Sequence, residues 1–195
     1  MQRAIAILII AAVAGCASQR RIKPDPIVYD PFTPQENNML NAIPTYEFGD
    51  SREPLMAVQD LIRDAGDSPE RTALIANRLG DMLSTEATLD CKLFICRQLH
   101  VIGKRENIPQ IAPLLTDPET SDMARFALER IESQDVNTAL LNALDETDGA
   151  VKAGIINSLV RIGTPRAVHP LERLLTDPDP QVAEAARSGL KKIGR

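Results

Sequence analysis

Few residues in this chain combine the side chains and spacing that catalysis or metal binding would use. Cys96 and His100 stand four apart, which on a helix puts both on one face. A thiolate beside an imidazole can act as nucleophile and base, or the two can ligate a metal ion. Either role needs a third member, and no residue supplies one at a matching spacing. Cys91 and Cys96, five apart, point about 140° away from each other on a helix, a poor arrangement for a disulfide. No CxxC, CxxCH or paired-ligand spacing for zinc occurs. The expectation is a protein that is not an enzyme, with no catalytic residue, no metal site and no cofactor.

The elements that must position these residues are dictated by a repeat. Residues 103–118 read GKRENIPQIAPLLTDP, and residues 163–178 read GTPRAVHPLERLLTDP. A fixed period is the mark of a repeat array. Between and around these stretches, Leu99-x-x-Ile102, Leu128-x-x-Ile131, Leu159-x-x-Ile162 and Leu190-x-x-Ile193 recur, with the isoleucines 29, 31 and 31 residues apart. Glycine follows three of the four, at a C-cap position that accepts a left-handed backbone. Ser68-Pro69, Thr164-Pro165 and Asp179-Pro180 read as N-cap and first-turn pairs. The helix opened by Ser68 is expected to run to about Leu83, although Gly80 inside it costs about 1 kcal/mol against alanine. Pro113 falls inside an expected helix and should shorten or kink it. Upstream, Leu55, Val58, Leu61 and Ile62 describe an amphipathic helix ending near Gly66.

Thirty-residue helical pairs with the pattern (V/I)xxLxxLLxDPxxxVxxxAxxxLxxIG resemble HEAT-like repeats of the phycobilisome-lyase type, over about Ser68–Gly194. The resemblance implies an all-α fold, an α-solenoid of about four HEAT-like helix pairs, with Glu53–Ala65 as an N-terminal capping helix on a repeat domain spanning 52–195. One helix pair cannot bury its own apolar face, so neighbours must stack. Deoxyhypusine hydroxylase, built from similar repeats, carries iron on His-Glu pairs. Here His100 and His169 are followed by Val101 and Pro170, so that ligand set is not carried over. A hydroxylase- or bilin-lyase-like enzyme is the alternative reading, and no residue speaks for a chromophore pocket.

Counting back from each terminal isoleucine separates what packing demands from what it does not. Offsets of eleven, seven, four and three residues fall on one face and form the expected core, Cys91 among them as a small apolar residue. The opposite face holds Leu93, Cys96, Arg97 and His100, then Asp122, Arg125, Phe126 and Glu129, then Ala153, Ile156, Asn157 and Val160, then Glu184, Arg187, Ser188 and Lys191. The positions equivalent to Cys96 and His100 therefore hold Arg125/Glu129, Ile156/Val160 and Arg187/Lys191, which marks the thiol–imidazole pair as coincidence. The last repeat is charged there, as an unconstrained face should be. The first three are partly apolar, and contiguous exposed apolar surface marks an interaction site. The expectation is a groove for a protein or peptide partner, contacted by Leu93, Arg97, Arg125, Phe126, Ile156 and Asn157. Its alternatives are coverage by the chain's own aromatics, or a purely structural spacer.

The N-terminus reads as a targeting segment. Arg3 precedes an unbroken apolar run, Ala4–Ala14, too short to span a bilayer as a helix. Val13-Ala14-Gly15-Cys16 resembles the lipobox of bacterial lipoproteins. That resemblance implies a signal peptide over 1–15, acylation of Cys16, and membrane attachment through it. Ala17, where inner-membrane lipoproteins often carry Asp, implies the outer membrane facing the periplasm. Residues 16–51, with five prolines, read as a tether in polyproline or irregular structure. Yet this stretch holds Tyr29, Phe32, Tyr46 and Phe48, four of the chain's six aromatics. Either these rings dock on the folded domain or they are presented to a partner. A net charge of −5 and the lack of a basic stripe with interleaved aromatics exclude nucleic acid as the expected partner.

Overall fold

The protein is seen here as a computed structural model that describes residues 30–194. The stretch 1–15 read from sequence as a signal peptide, Cys16 and Tyr29 lie outside the described residues. From Pro31 onward the chain forms one compact unit. Its α-helices are α1 (Pro34–Asn41), α2 (Glu53–Ala65), α3 (Pro69–Met82), α4 (Leu89–Ile102), α5 (Ile108–Ile111), α6 (Ser121–Leu128), α7 (Gln134–Glu146), α8 (Gly149–Ile162), α9 (Val168–Arg173) and α10 (Pro180–Ile193). The fold is all-α, an α-solenoid in which α3/α4, α5/α6, α7/α8 and α9/α10 are the four helix pairs and α2 precedes them.

Each second helix packs on the next: α4 on α6, α6 on α8, α8 on α10. The first helices form the other layer, α3 against α5 and α5 against α7. Between the layers Ile75, Leu79, Ile95, Leu99, Ile111, Leu115, Leu128, Leu140, Ile155 and Leu159 are completely buried. Most of the expected core positions hold: Cys91, Ile95, Ala124, Ala127, Ile155, Val182 and Ala186 are all without exposed surface, while Gln98, Val151 and Leu190 are only half-buried. Burying one such leucine or isoleucine contributes about 1.5–3 kcal/mol.

Local sequence sets the breaks. Proline lacks a backbone donor and crowds the preceding turn. In the second pair Pro109 and Pro113 divide the first helix into a 3-10 turn at Arg105–Asn107, the single turn of α5, and a second 3-10 stretch at Ala112–Leu115. In the fourth pair Pro165 and Pro170 leave the same pattern around α9. The third pair has no proline, and its first helix, α7, runs unbroken for 13 residues. Ser68 caps α3 by accepting from the Arg71 N–H at 3.2 Å, and Asp179 caps α10 by accepting from Gln181 at 2.8 Å. Gly80 in α3 has a packing reason. A Cβ there would sit 2.0 Å from Oε1 of Gln110, whose amide donates to Asp81 at 2.7 Å and to the Asn77 carbonyl at 3.3 Å.

Two expectations are corrected. Of the three glycines after the helix signatures, only Gly163 is left-handed, at φ 72°. Gly103 leaves its helix at φ −62° and ψ 145° and Gly194 at φ −74°, so neither is left-handed; Gly103 is set by space instead, since a Cβ there would sit 2.3 Å from the Leu99 carbonyl oxygen. The second correction concerns residues 31–51, which are part of the folded unit rather than a tether. Thr33 opens α1 with a capping box, accepting from the Glu36 N–H at 3.3 Å while its own N–H donates to the Glu36 carboxylate at 2.7 Å. Leu40 and Ile43 are completely buried and Phe32 nearly so. The Arg71 guanidinium lies over the Phe32 ring, 4.7 Å from its centroid, donates to the Pro31 carbonyl at 2.9 Å, and pairs with Glu36. Farther along, the Thr88 N–H donates to the Pro44 carbonyl at 2.9 Å and its hydroxyl to the Tyr46 carbonyl. Proline content alone pointed to a tether; the aromatic and aliphatic residues between the prolines decide otherwise, because burying them offsets the cost of ordering the chain.

Candidate partner-binding groove

Across α2, α4 and α6 lie two adjoining hollows of about 360 Å³ each, which take in only part of the face expected to bind a partner. Leu93 and Arg97, one turn apart on α4, line both. The first hollow is bounded by Phe48, Arg52, Leu55, Asp90 and Phe94, the second by Cys96, Asp122, Met123 and Phe126. Leu93 is half-buried and Arg97 exposed. Phe126 is 44% exposed and Phe48 90% exposed, unusual for aromatic side chains in a chain with so few.

Phe126 is held in place from the side. The His100 imidazole stacks on its ring with centroids 3.9 Å apart and planes 13° from parallel, and His100 Nδ1–H donates to the Phe126 carbonyl at 2.7 Å. His100 is therefore a support for Phe126. Cys96 is completely buried, and burial pushes its thiol up to about 12, so it is neither a thiolate nor a nucleophile at neutral pH. Cys91, also buried, is pushed up to about 11 for the same reason. Among the described residues no three His, Cys, Asp or Glu side chains come together to hold a metal ion.

The residues named from sequence divide into two groups. Leu93, Arg97 and Phe126 come together on one surface. Arg125, Ile156 and Asn157 do not join them at the two hollows. Arg125 reaches from α6 to α8, where it donates to the Gly154 carbonyl at 3.1 Å and Ser158 Oγ at 3.3 Å and pairs with Asp122. Ser158 in turn donates to Glu129 at 2.7 Å, and Glu129 pairs with Arg161 at 3.3 Å. Gly154 makes room for this: a Cβ there would lie 2.7 Å from the Arg125 guanidinium carbon. Ile156 is completely buried between α8 and α10, its Cγ2 only 3.6 Å from where a Cβ on Gly189 would sit, and so has no surface to offer. Asn157 is exposed on α8. The reason for the correction is geometric. A second helix packs against its own partner and against the second helices on both sides, so its buried arc is wider than one face.

Phe48, Arg52, Asp90, Phe94 and Met123 border the groove but were not singled out as site residues. The Phe48 N–H donates to Asp90 at 2.9 Å across 42 residues of sequence, which places the aromatic at the lip. The aromatic density of the N-terminal stretch was the available signal. A further hollow, of about 740 Å³, lies at the turns around Ser133 and Thr164, where Glu129 and Arg161 pair with each other at 3.3 Å.

With the stacked second helices and their groove in view, the comparison with known families is direct. Residues 108–191 match the family model for HEAT repeats. The matched stretch runs from α5 into α10, and the α3/α4 pair continues the same HEAT-like stacking on its N-terminal side. No curated protein was found to match the chain. No described helix is long and apolar enough to cross a membrane.

Proposed function

We propose that this HEAT-like solenoid is a non-enzymatic scaffold, anchored to a membrane by lipid on Cys16, that binds a protein or peptide partner in the groove across α4 and α6. The observation that carries the reading is the pair of adjoining hollows at Leu93, Arg97 and Phe126, apolar surface that the helix packing leaves open. Function in such folds lives in the site rather than the scaffold. The pattern's finer resemblance, to repeats of the phycobilisome-lyase type, supports the scaffold and brings no lyase chemistry. Acyl chains on Cys16 contribute about 0.8 kcal/mol per buried CH₂, and more than one chain gives stable attachment. With Ala17 next in the chain, the outer membrane facing the periplasm is the location this reading favours.

The test is crosslinking in membranes followed by purification of the full chain. Phe126→Asp should lose the crosslinked partner while retaining helicity and membrane pelleting. Cys16→Ser should lose membrane pelleting. Unchanged partner recovery with Phe126→Asp would sink the groove assignment, and unchanged pelleting with Cys16→Ser would sink the anchor.

A further inference from the structure

The groove has a charge pattern that narrows its ligand, given the reading of it as a docking surface. Four charged residues border the two hollows, Arg52, Asp90, Arg97 and Asp122. Asp122 pairs with Arg125, whereas Asp90 accepts only the neutral Phe48 N–H at 2.9 Å and keeps its carboxylate in the first hollow. Arg52 and Arg97 are exposed, and neither side chain has a hydrogen-bond or ion-pair partner among the described residues. These two unpaired arginines against the single carboxylate of Asp90 leave the balance of the groove positive. Positive charge sits at the ridge between the two hollows, because Arg97 lines both.

We infer that the groove takes a short peptide segment carrying one carboxylate side chain between two apolar ones. The carboxylate pairs with Arg97, with Arg52 within the first hollow's border as a second cation. One apolar side chain enters the hollow between Phe48 and Phe94, the other the hollow between Met123 and Phe126. A guanidinium and a carboxylate form charge-assisted, bidentate hydrogen bonds that fix register as well as adding affinity. A purely apolar ligand would cover Arg97 and leave its donors unpaired, which is unfavourable. A basic segment meets two free arginines. A polyanion such as nucleic acid would run its remaining charges past Asp90 and Asp122, so a single carboxylate fits where a string of phosphates does not. Phe126, held by its stack on His100, is ordered before the ligand arrives, which reduces the ordering cost of binding.

Fluorescence anisotropy on the full chain tests this with dye-labelled Gly-Gly-Phe-Glu-Leu-Gly-Gly and three variants: Gln for Glu, Lys for Glu, and Gly for both apolar residues. The glutamate probe should bind best. Its Gln variant should bind about tenfold more weakly, as loss of a charge-assisted hydrogen bond implies, and the Lys and Gly variants should be weaker still. Arg97→Glu should reverse the order of the glutamate and lysine probes, with far-UV circular dichroism unchanged because Arg97 is exposed. Arg52→Glu should weaken the glutamate probe without reversing the order. Equal binding of the glutamate and lysine probes, binding of neither, or an order unaffected by Arg97→Glu would overturn the assignment. None of these results bears on partner loss from Phe126→Asp in membranes, so the groove and its ligand chemistry can fail separately.

Discussion

His100 and Phe126, on successive second helices, form a single unit: the two rings lie 3.9 Å apart and 13° from parallel, and the imidazole Nδ1–H donates to the Phe126 backbone carbonyl at 2.7 Å. The histidine that sequence spacing offered as a base beside Cys96 is instead what fixes the exposed aromatic of the next repeat. Stacked aromatic pairs contribute about 0.5–1.5 kcal/mol beyond the area they bury. His100→Ala should therefore lower stability by about 1–2 kcal/mol once the hydrogen bond is included. Urea unfolding measures this, and a midpoint equal to that of the parent chain would show that the stack contributes nothing.

Arg125 should behave as a cross-helix staple. Its guanidinium joins α6 to α8 through Gly154 and Ser158 and is largely buried. Arg125→Ala should cost about 1–3 kcal/mol by leaving the Gly154 carbonyl and Ser158 without that partner. Gly154→Ala should destabilise for a related reason, since the new methyl would push the guanidinium away. Each change removes the same contact, so the double variant should be less destabilised than the sum of the two. A double-mutant cycle in urea gives the coupling directly, and strict additivity would contradict the staple.

How far the sequence carried the fold is clear from particular residues. The four leucine–isoleucine signatures placed the second helices and the core columns, because apolar period and caps are local properties. Ser68 and Asp179 sit where their types place them. Pro113 broke its helix as expected. What local pattern could not supply was the width of the packed surface. Ile156 looked unexplained because the period describes one helix against one partner, whereas α8 also meets α10. Arg125 looked like a free contact because its acceptors, Gly154 and Ser158, lie 29 and 33 residues away. In the site, Leu93, Arg97 and Phe126 were legible as apolar or charged residues off the core face. Phe48 and Arg52 were not, since only tertiary docking brings residues 31–52 beside α4.

Cysteine reactivity gives a test of the buried thiols. Burial pushes Cys91 up to about 11 and Cys96 up to about 12 from an ordinary thiol value of 9.0. In a chain carrying Cys16→Ser, neither thiol should label with iodoacetamide at pH 8 until the protein is unfolded. The same shifts have a consequence for stability. Above pH 9 the unfolded thiols lose their protons while the folded ones keep them, so the unfolded state binds fewer protons and stability falls as pH rises. The loss should develop between about pH 9 and pH 12, and be smaller in Cys91→Ala/Cys96→Ala. Rapid labelling of native protein at pH 8 would show the burial to be transient.

The N-terminal stretch should prove to be part of the domain's stability rather than a spacer. Leu40 and Ile43 are completely buried, and truncating either to alanine should cost about 2–5 kcal/mol. A chain beginning at residue 52 should melt at a lower temperature than one beginning at residue 31, because it also loses the Pro44 and Tyr46 carbonyls that Thr88 bonds. Glu36 adds a pH signature. The Thr33 backbone N–H, and then Arg71, hold its carboxyl below the usual carboxylate value. Its contribution is thus fully present above about pH 4.5, the unfolded range, and is lost as pH falls through the lower folded value. Glu36→Gln should flatten that acid limb while leaving the alkaline limb from the thiols intact. Thermal unfolding of the two chain lengths, and of Glu36→Gln from pH 3 to pH 7, separates the contributions. Equal melting temperatures for the long and short chains would return residues 31–51 to the role of a tether.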